Sequence, residues 1–281
     1  MQAIKEINAS ASVYAGFPVR RMDFDFAELK NKYIYDSQPA MSMFLTAMQS
    51  FFPDGEQFFI DSVRHFRNQI VDVQLQKDIG SFIGQEAMHG KEHRAANEAL
   101  LGHGIDVSRL MAQMNVIWNF TQKNTSPKFQ LALTASLEHF TAVMGSAMLR
   151  NEVFIDGFND PVFKNLTRWH AIEECEHKSV AFDTYSAVGG NIAERVVAML
   201  ISSIGITIVF SASTAYLLKR DGQLSNLRSW AHLGRTLFGR RQGLFNSTLS
   251  EYLDWFHPKF HPKNHDNTDL EAYWKTQLMF N

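Results

Sequence analysis

Two Glu-x-x-His steps, Glu86/His89 and Glu174/His177, constrain this chain more than any other feature. Both lie in stretches with helical character, Gly84-Gln85-Glu86-Ala87-Met88-His89-Gly90 and Trp169-His170-Ala171-Ile172-Glu173-Glu174-Cys175-Glu176-His177. Residues three apart on a helix stand about 60° apart around its axis, so each step aims one carboxylate and one imidazole the same way. His170 precedes Glu174 by four positions and His177 by seven, nearly one line along the helix. It therefore reads as a further nitrogen donor on that face.

Two other helical stretches carry one carboxylate each. Glu56 follows Phe52-Pro53-Asp54-Gly55, and Glu138 shares its face with Thr134, Ala135, Thr141, Ala142 and Gly145. A lone carboxylate among small residues is costly to bury unless it is paired or metal-bound. Carboxylates can bridge and neutralise two cations, and imidazole completes the shell of a transition metal. Glu56, Glu86, His89, Glu138, His170, Glu174 and His177 are thus the candidate metal ligands, with two Fe ions, or Mn or a mixed Fe/Mn pair, as the expected cofactor. A Glu from each of two helices with a Glu-x-x-His from each of two others is the donor set of ferritin-like di-metal bundles. The expected fold is all-α, a ferritin-like four-helix bundle with additional helices.

Start and stop signals divide the chain accordingly. Residues 1–39 mix charge with aromatics, as in Arg20-Arg21-Met22-Asp23-Phe24, and read as an irregular arm. A helix is expected from Ala40 to Phe52, then an interruption at Pro53, then a second helix capped by Asp54 with Gln57 as its capping-box partner. Further helices are expected from Leu75 to Leu101, from Asp106 to Lys123, from Ser126-Pro127 to Arg150 and from Asp160-Pro161 to Val188. With no polar linker to split it, the bundle is assigned to 40–190. Residues 191–281 are read as an apolar helix and basic, aromatic C-terminal helices packed on it. Phe58, Phe59, Phe82, Phe140 and Met144 are the candidate apolar wall, drawn from a composition with 23 Phe.

Val196 to Leu218 carries no charge and is flanked by Arg195 and by Lys219-Arg220. Its length suffices to span a bilayer, but six Ser and Thr residues dilute it. Two readings stand: contact with a membrane surface, or a buried or homodimer-forming helix. The basic, aromatic stretch from Lys219 to Arg241 fits either anionic lipid or a solvated surface. A net charge of −2 and the lack of a recognition module argue against nucleic acid. One cysteine, Cys175, excludes an internal disulfide and suggests a reducing compartment. No signal pattern opens the sequence, so a cytoplasmic location, with association at the inner membrane, is expected.

Other residues weigh less. His93 follows His89 by four and lies near the same face, as a weaker candidate donor. His139 points about 100° away from Glu138 and reads as packing. Glu92, Glu173 and Glu176 flank ligands, facing solvent or supporting them. Arg64 and Asp61 are potential partners of the carboxylates, and His257, His261 and His265 read as a surface tail.

The chain resembles the bacterial family called predicted metal-dependent hydrolases, a ferritin-like group. The resemblance rests on Phe52-Pro53-Asp54-Gly55-Glu56-Gln57-Phe58-Phe59 with Ser62-Val63-Arg64, on Gln85 to His89, on Glu138-His139-Phe140-Thr141, on His170 to Lys178, and on Phe260-His261-Pro262. The ligand order is also similar to that of the di-iron arylamine N-oxygenases, whose Glu, Glu-x-x-His, Glu, His-x-x-x-Glu-x-x-His pattern the seven candidates match in turn. That likeness implies an O2-activating oxidase or oxygenase acting on a small apolar or aromatic substrate with an external electron donor. The family name implies the alternative, di-metal hydrolysis. A third reading is metal storage or a metal-free bundle.

Overall fold

The computed structural model describes residues 16–240 and 243–279. The first fifteen residues of the expected arm, and Arg241 of the basic stretch, lie outside the described residues. The fold is all-α: among the described residues the one β feature is an isolated bridge between Tyr35 and Phe158.

The chain runs through α1 (Pro39–Phe66), α2 (Val73–Gly102), α3 (Ser108–Asn124), α4 (Pro127–Arg150), the short α5 (Glu152–Asp156), α6 (Pro161–His177), α7 (Val180–Ala187), α8 (Ile192–Arg220), α9 (Leu227–Phe238), α10 (Leu244–Asp254) and α11 (Thr268–Gln277). α1 packs along α2 and α4 along α6. The two pairs meet where α1 touches α4 and α2 touches α6. α3 and α9 lean on α1, α8 on both α1 and α4, and α10 on α4.

Several expected caps form. Ser126 Oγ accepts from the Phe129 amide with Pro127 at the first helical position, and Asn191 accepts from the Glu194 amide. Each such cap contributes about 1 kcal/mol. Two boundaries differ from expectation. α1 does not stop at Pro53 but runs through it, so Asp54 caps nothing. Proline removes one helical hydrogen bond and crowds the preceding turn, yet Phe51, Pro53, Phe58 and Phe59 are all buried there. Packing along the whole helix offsets that local penalty. The helix expected to reach Val188 instead breaks at Lys178-Ser179 into α6 and α7. Asp160 does not cap α6; its carboxylate accepts from the Lys30 and Asn31 amides and ties down the N-terminal segment.

That segment is packed rather than loose. Glu92 accepts from the Asp23 and Phe24 amides, and Arg20 pairs with Glu173 and Glu176 of α6 at 2.8 Å. Two of the three C-terminal histidines are docked as well: His261 contacts Asp183 at 2.7 Å, and His265 contacts Asp254 at 3.0 Å beside the His139 and Phe260 rings, while His257 is exposed. Arg64 and Asp61 pair with each other at 3.6 Å on the surface, away from the bundle carboxylates.

Candidate metal centre

Close helix contacts bring the acidic faces together. At Gly145 an added Cβ would lie 3.2 Å from the backbone of Ala171, and at Gly90 it would lie 3.2 Å from Glu56 Oε2. The glycines on these two helices therefore let α4 meet α6 and let the α1 carboxylate reach across to α2. α1 supplies Glu56, α2 supplies Glu86 and His89, α4 supplies Glu138, and α6 supplies His170, Glu174 and His177. None of the seven is more than 6 % exposed.

All seven join one cluster of overlapping groups, each with donor atoms within 4.8 Å of one another. One end holds Glu56 with His93 and His170, the other holds Glu86, Glu138 and His177, and His89 links them, lying with Glu56 and Glu86 and again with His170 and Glu174. Glu174 spans the middle: its Oε1 lies 2.8 Å from His170 Nε2 and 3.8 Å from His89 Nδ1, and its Oε2 lies 3.4 Å from His177 Nε2. His177 Nε2 also stands 3.2 Å from both Glu86 Oε1 and Glu138 Oε2.

The outer faces of two histidines are tied by neighbours. His177 Nδ1–H donates to Gln85 Oε1 at 3.0 Å. The Gln85 amide nitrogen donates to the Pro18 carbonyl and to Glu176, both at 2.8 Å, which fixes which end of the amide faces His177. His89 Nε2–H donates to Glu173 Oε2 at 3.0 Å. In a neutral imidazole the opposite nitrogen is then a lone pair, and for both residues it faces the cluster. Carboxylate or amide support behind a histidine in this way orients ligands in metal sites. Sequence reasoning left Glu173 and Glu176 undecided and did not single out Arg20 or Gln85. No local pattern marks Arg20, because a cation distant in sequence from its partners leaves no periodic trace.

A metal pair fits these residues. Among the described residues, both oxygens of Glu56, Glu86 and Glu138 find no hydrogen-bond partner. Neither do Glu174 Oε2, His89 Nδ1 and His177 Nε2. Buried polar atoms are otherwise almost always satisfied. The electrostatics agree. Burial, then Glu174 and other neighbouring carboxylates, pushes Glu56 well above the usual carboxylate range, and burial with Glu138 does the same to Glu86. Burial and Glu174 lift Glu138 to about 7. His89 is driven down by burial and by His170. For His177 burial works downward, but Glu174 and Glu138 outweigh it and raise the imidazole. Carboxylates crowded against one another and starved of donors are a site that cations would neutralise.

The rings around the cluster are mostly not the expected ones. Phe52 lies 4.7 and 4.6 Å from the His93 and His170 rings, Trp169 4.7 Å from His89, and Phe82 5.0 Å from His177. Of the expected wall, Phe58 instead stacks on Trp118 and Phe140 on Tyr252. His139 packs away from the cluster, its Nε2 against the Glu251 carbonyl. Cys175 is buried, and that burial pushes its thiol up to about 12, which leaves no thiolate for nucleophilic work. A cleft of about 410 Å³ lies beside the centre, lined by Phe17, Glu176, Lys178, Lys275 and neighbours. Phe17, which lines the cleft, has its ring 6.3 Å from that of His177.

A family model described as "Predicted metal-dependent hydrolase" matches residues 18–266. No curated protein and no solved structure matches the chain.

Proposed function

This chain belongs to the predicted metal-dependent hydrolase family, and from that premise we propose that the buried Glu/His cluster is a two-metal centre that hydrolyses a small polar substrate. The observation that carries the metal reading is the convergence of partnerless donor atoms from Glu56, Glu86, Glu138, Glu174, His89 and His177 in a dry interior. Hydrolysis draws support from the family description and from the polar character of the adjoining cleft, where Phe17 is joined by Lys178, Lys275, Glu176 and Glu271.

Glu56, His89 and His170 would hold one ion, Glu86, Glu138 and His177 the other, with Glu174 between. Such a pair supplies Lewis acidity that makes water a nucleophile near neutral pH and polarises a carbonyl or phosphoryl oxygen, and as iron it would add redox chemistry. Around it, Glu173 and Gln85 hold the His89 and His177 rings so that lone pairs face inward. Phe52, Trp169 and Phe82 exclude water from the cluster. Lys178, whose ammonium burial makes easier to deprotonate, stands in the cleft where an anionic substrate group would be received.

A second reading is oxidative, an O2-activating di-iron enzyme with an external electron donor. It is favoured by the donor set itself: a Glu from each of two helices and a Glu-x-x-His from each of two others is the set of ferritin-like di-iron carboxylate proteins, with His170 added. The deciding experiment is metal analysis with reconstitution. Metal-stripped protein should take up about two ions per chain and hydrolyse simple esters or phosphoesters with zinc or manganese. Activity should fall by about a hundredfold or more in Glu138→Ala, an expectation scaled from other metal-site losses. Inert zinc and manganese forms, with oxygen consumption by the ferrous form, would replace hydrolysis by oxidation. Uptake of no metal would end both.

The setting of the enzyme is a further proposal. α8 is the one helix among the described residues long and apolar enough to cross a membrane. Its inner face packs on the bundle, with Phe210 against Phe44 and Phe51, so we assign it to lying on an anionic lipid surface rather than crossing one.

A further inference from the structure

His93, one turn beyond His89 on α2, has the same arrangement as the histidines of the cluster although the seven-residue pattern leaves it out. Its ring is 3 % exposed. Its Nδ1 lies 3.2 Å from Gln49 Oε1. The Gln49 amide nitrogen donates to Asn97 Oδ1 at 2.7 Å, and Asn97 in turn points its own amide nitrogen at Met111 Sδ. That chain leaves the Gln49 oxygen as the acceptor, so His93 Nδ1 carries the hydrogen and donates. Nε2 is then a lone pair, and it points inward, 2.6 Å from His170 Nδ1. Two imidazole nitrogens placed so closely either share a hydrogen or ligate a common cation. Glu56, with both oxygens partnerless, lies in the same group as His93 and His170, donor atoms within 4.8 Å.

Building on the two-metal reading, we propose that His93 Nε2 is an eighth donor, which makes the centre asymmetric. The Glu56 end then gathers three imidazoles: His93 and His170 against the Phe52 ring, and His89 stacked on His170 at 4.2 Å. The other end has Glu86, Glu138 and a single imidazole, His177, and lies on the side of Phe17 and the cleft. Imidazole-rich donor sets suit later first-row metals such as Fe, Ni, Cu and Zn, whereas carboxylates suit harder ions such as Mg, Ca and Mn. The Glu56 end is therefore a closed, tight site that anchors its ion. The Glu138 end is the looser site, where substrate meets metal.

The test is titration of metal-stripped protein with Co2+ alone, followed by calorimetry and by visible absorbance, for wild type, His93→Gln and Gln49→Leu. His93→Gln keeps a polar group of similar reach, and circular dichroism with a thermal melt verifies that each variant folds. Wild type should bind two ions in resolved steps. His93→Gln should weaken the tighter step by about tenfold or more, by analogy with losses around other metal sites, change the Co2+ absorbance of that step and leave the weaker step unchanged. Gln49→Leu, which frees the ring without removing it, should give a smaller loss in the same step. Two steps with wild-type affinities and spectra in His93→Gln would overturn the eighth donor while leaving the two-metal centre intact. An equal loss in both steps would also overturn it, since it would mark a general packing defect. Wild type that binds no Co2+ would remove the two-metal reading itself.

Discussion

His139 shows at the level of one residue how neighbours in sequence take opposite roles. Glu138 faces the cluster, while His139 is packed among Trp255, Phe260 and His265 and held against the Glu251 carbonyl. Burial drives its imidazole down to about 3, against about 6.5 in an unfolded chain. The unfolded chain therefore binds the extra proton between those values, and this residue's contribution to stability is lost as pH falls from 6.5 toward 3. The limiting slope is about 1.4 kcal/mol per pH unit. His139→Gln can still donate to the carbonyl but does not titrate. Urea unfolding at pH 7.5 and 5.0 should show wild type losing about 1–2 kcal/mol more than the variant. Equal losses would mean that His139 is protonated in the folded protein.

Among helices, spacing is the variable that matters, and Gly145 sets it for α4 and α6. A Cβ there meets the Ala171 backbone at 3.2 Å, which cannot swing aside as a side chain would. Gly145→Val should destabilise the protein by about 1–3 kcal/mol despite the better helix propensity of valine. It should also weaken metal uptake, because Glu138 is carried on one helix and Glu174 and His177 on the other. Gly205 of α8 has open space around it, so Gly205→Ala should instead gain up to about 1 kcal/mol. Urea unfolding of both variants reads the contrast; a Gly145→Val protein as stable as wild type would show that the helices can separate freely. The elements themselves were largely legible in the sequence. Periodicity, the Ser126-Pro127 and Asn191 caps and the Glu-x-x-His spacing gave the helices and the seven converging donors, because both are local patterns. The continuity of α1 through Pro53 was not legible, since it comes from burial along the entire helix. The break at Lys178 and the supports Arg20, Gln85 and Glu173 were also hidden, because they depend on which segments meet in space.

At the scale of the molecule, charge and greasiness are unevenly spread. The outer face of α8 exposes Val197, Leu200, Ile201, Ile204 and Ile208. α10 meets α8 at the Ser203–Tyr252 hydroxyl pair, 3.0 Å apart, and has Leu249 and Leu253 exposed. From Val196 to Ser250 the sequence has one acidic residue, Asp221, and it is already engaged by Lys32 and Tyr33. Lys219, Arg220, Arg228, Arg235 and Arg240 are exposed, beside the protruding Leu227 and Phe238 of α9. Near an anionic bilayer each such cation contributes about 1 kcal/mol, and apolar side chains add to that. The protein should therefore sediment with phosphatidylcholine vesicles that contain phosphatidylglycerol and not with phosphatidylcholine alone. Added salt, Arg228→Glu/Arg235→Glu or Ile204→Asp should each release it. If no vesicle binds and Ile204→Asp instead halves the particle size in solution, the face belongs to a second copy of the chain.

The hold of Gln85 on both His177 and the Pro18 carbonyl has a practical consequence. Whatever tugs on the segment ahead of Arg20, whether an affinity tag, a fusion partner or proteolytic trimming, also tugs on the His177 imidazole of the candidate metal centre. Clipped or tagged preparations should therefore differ from the intact chain in metal uptake as well as in yield.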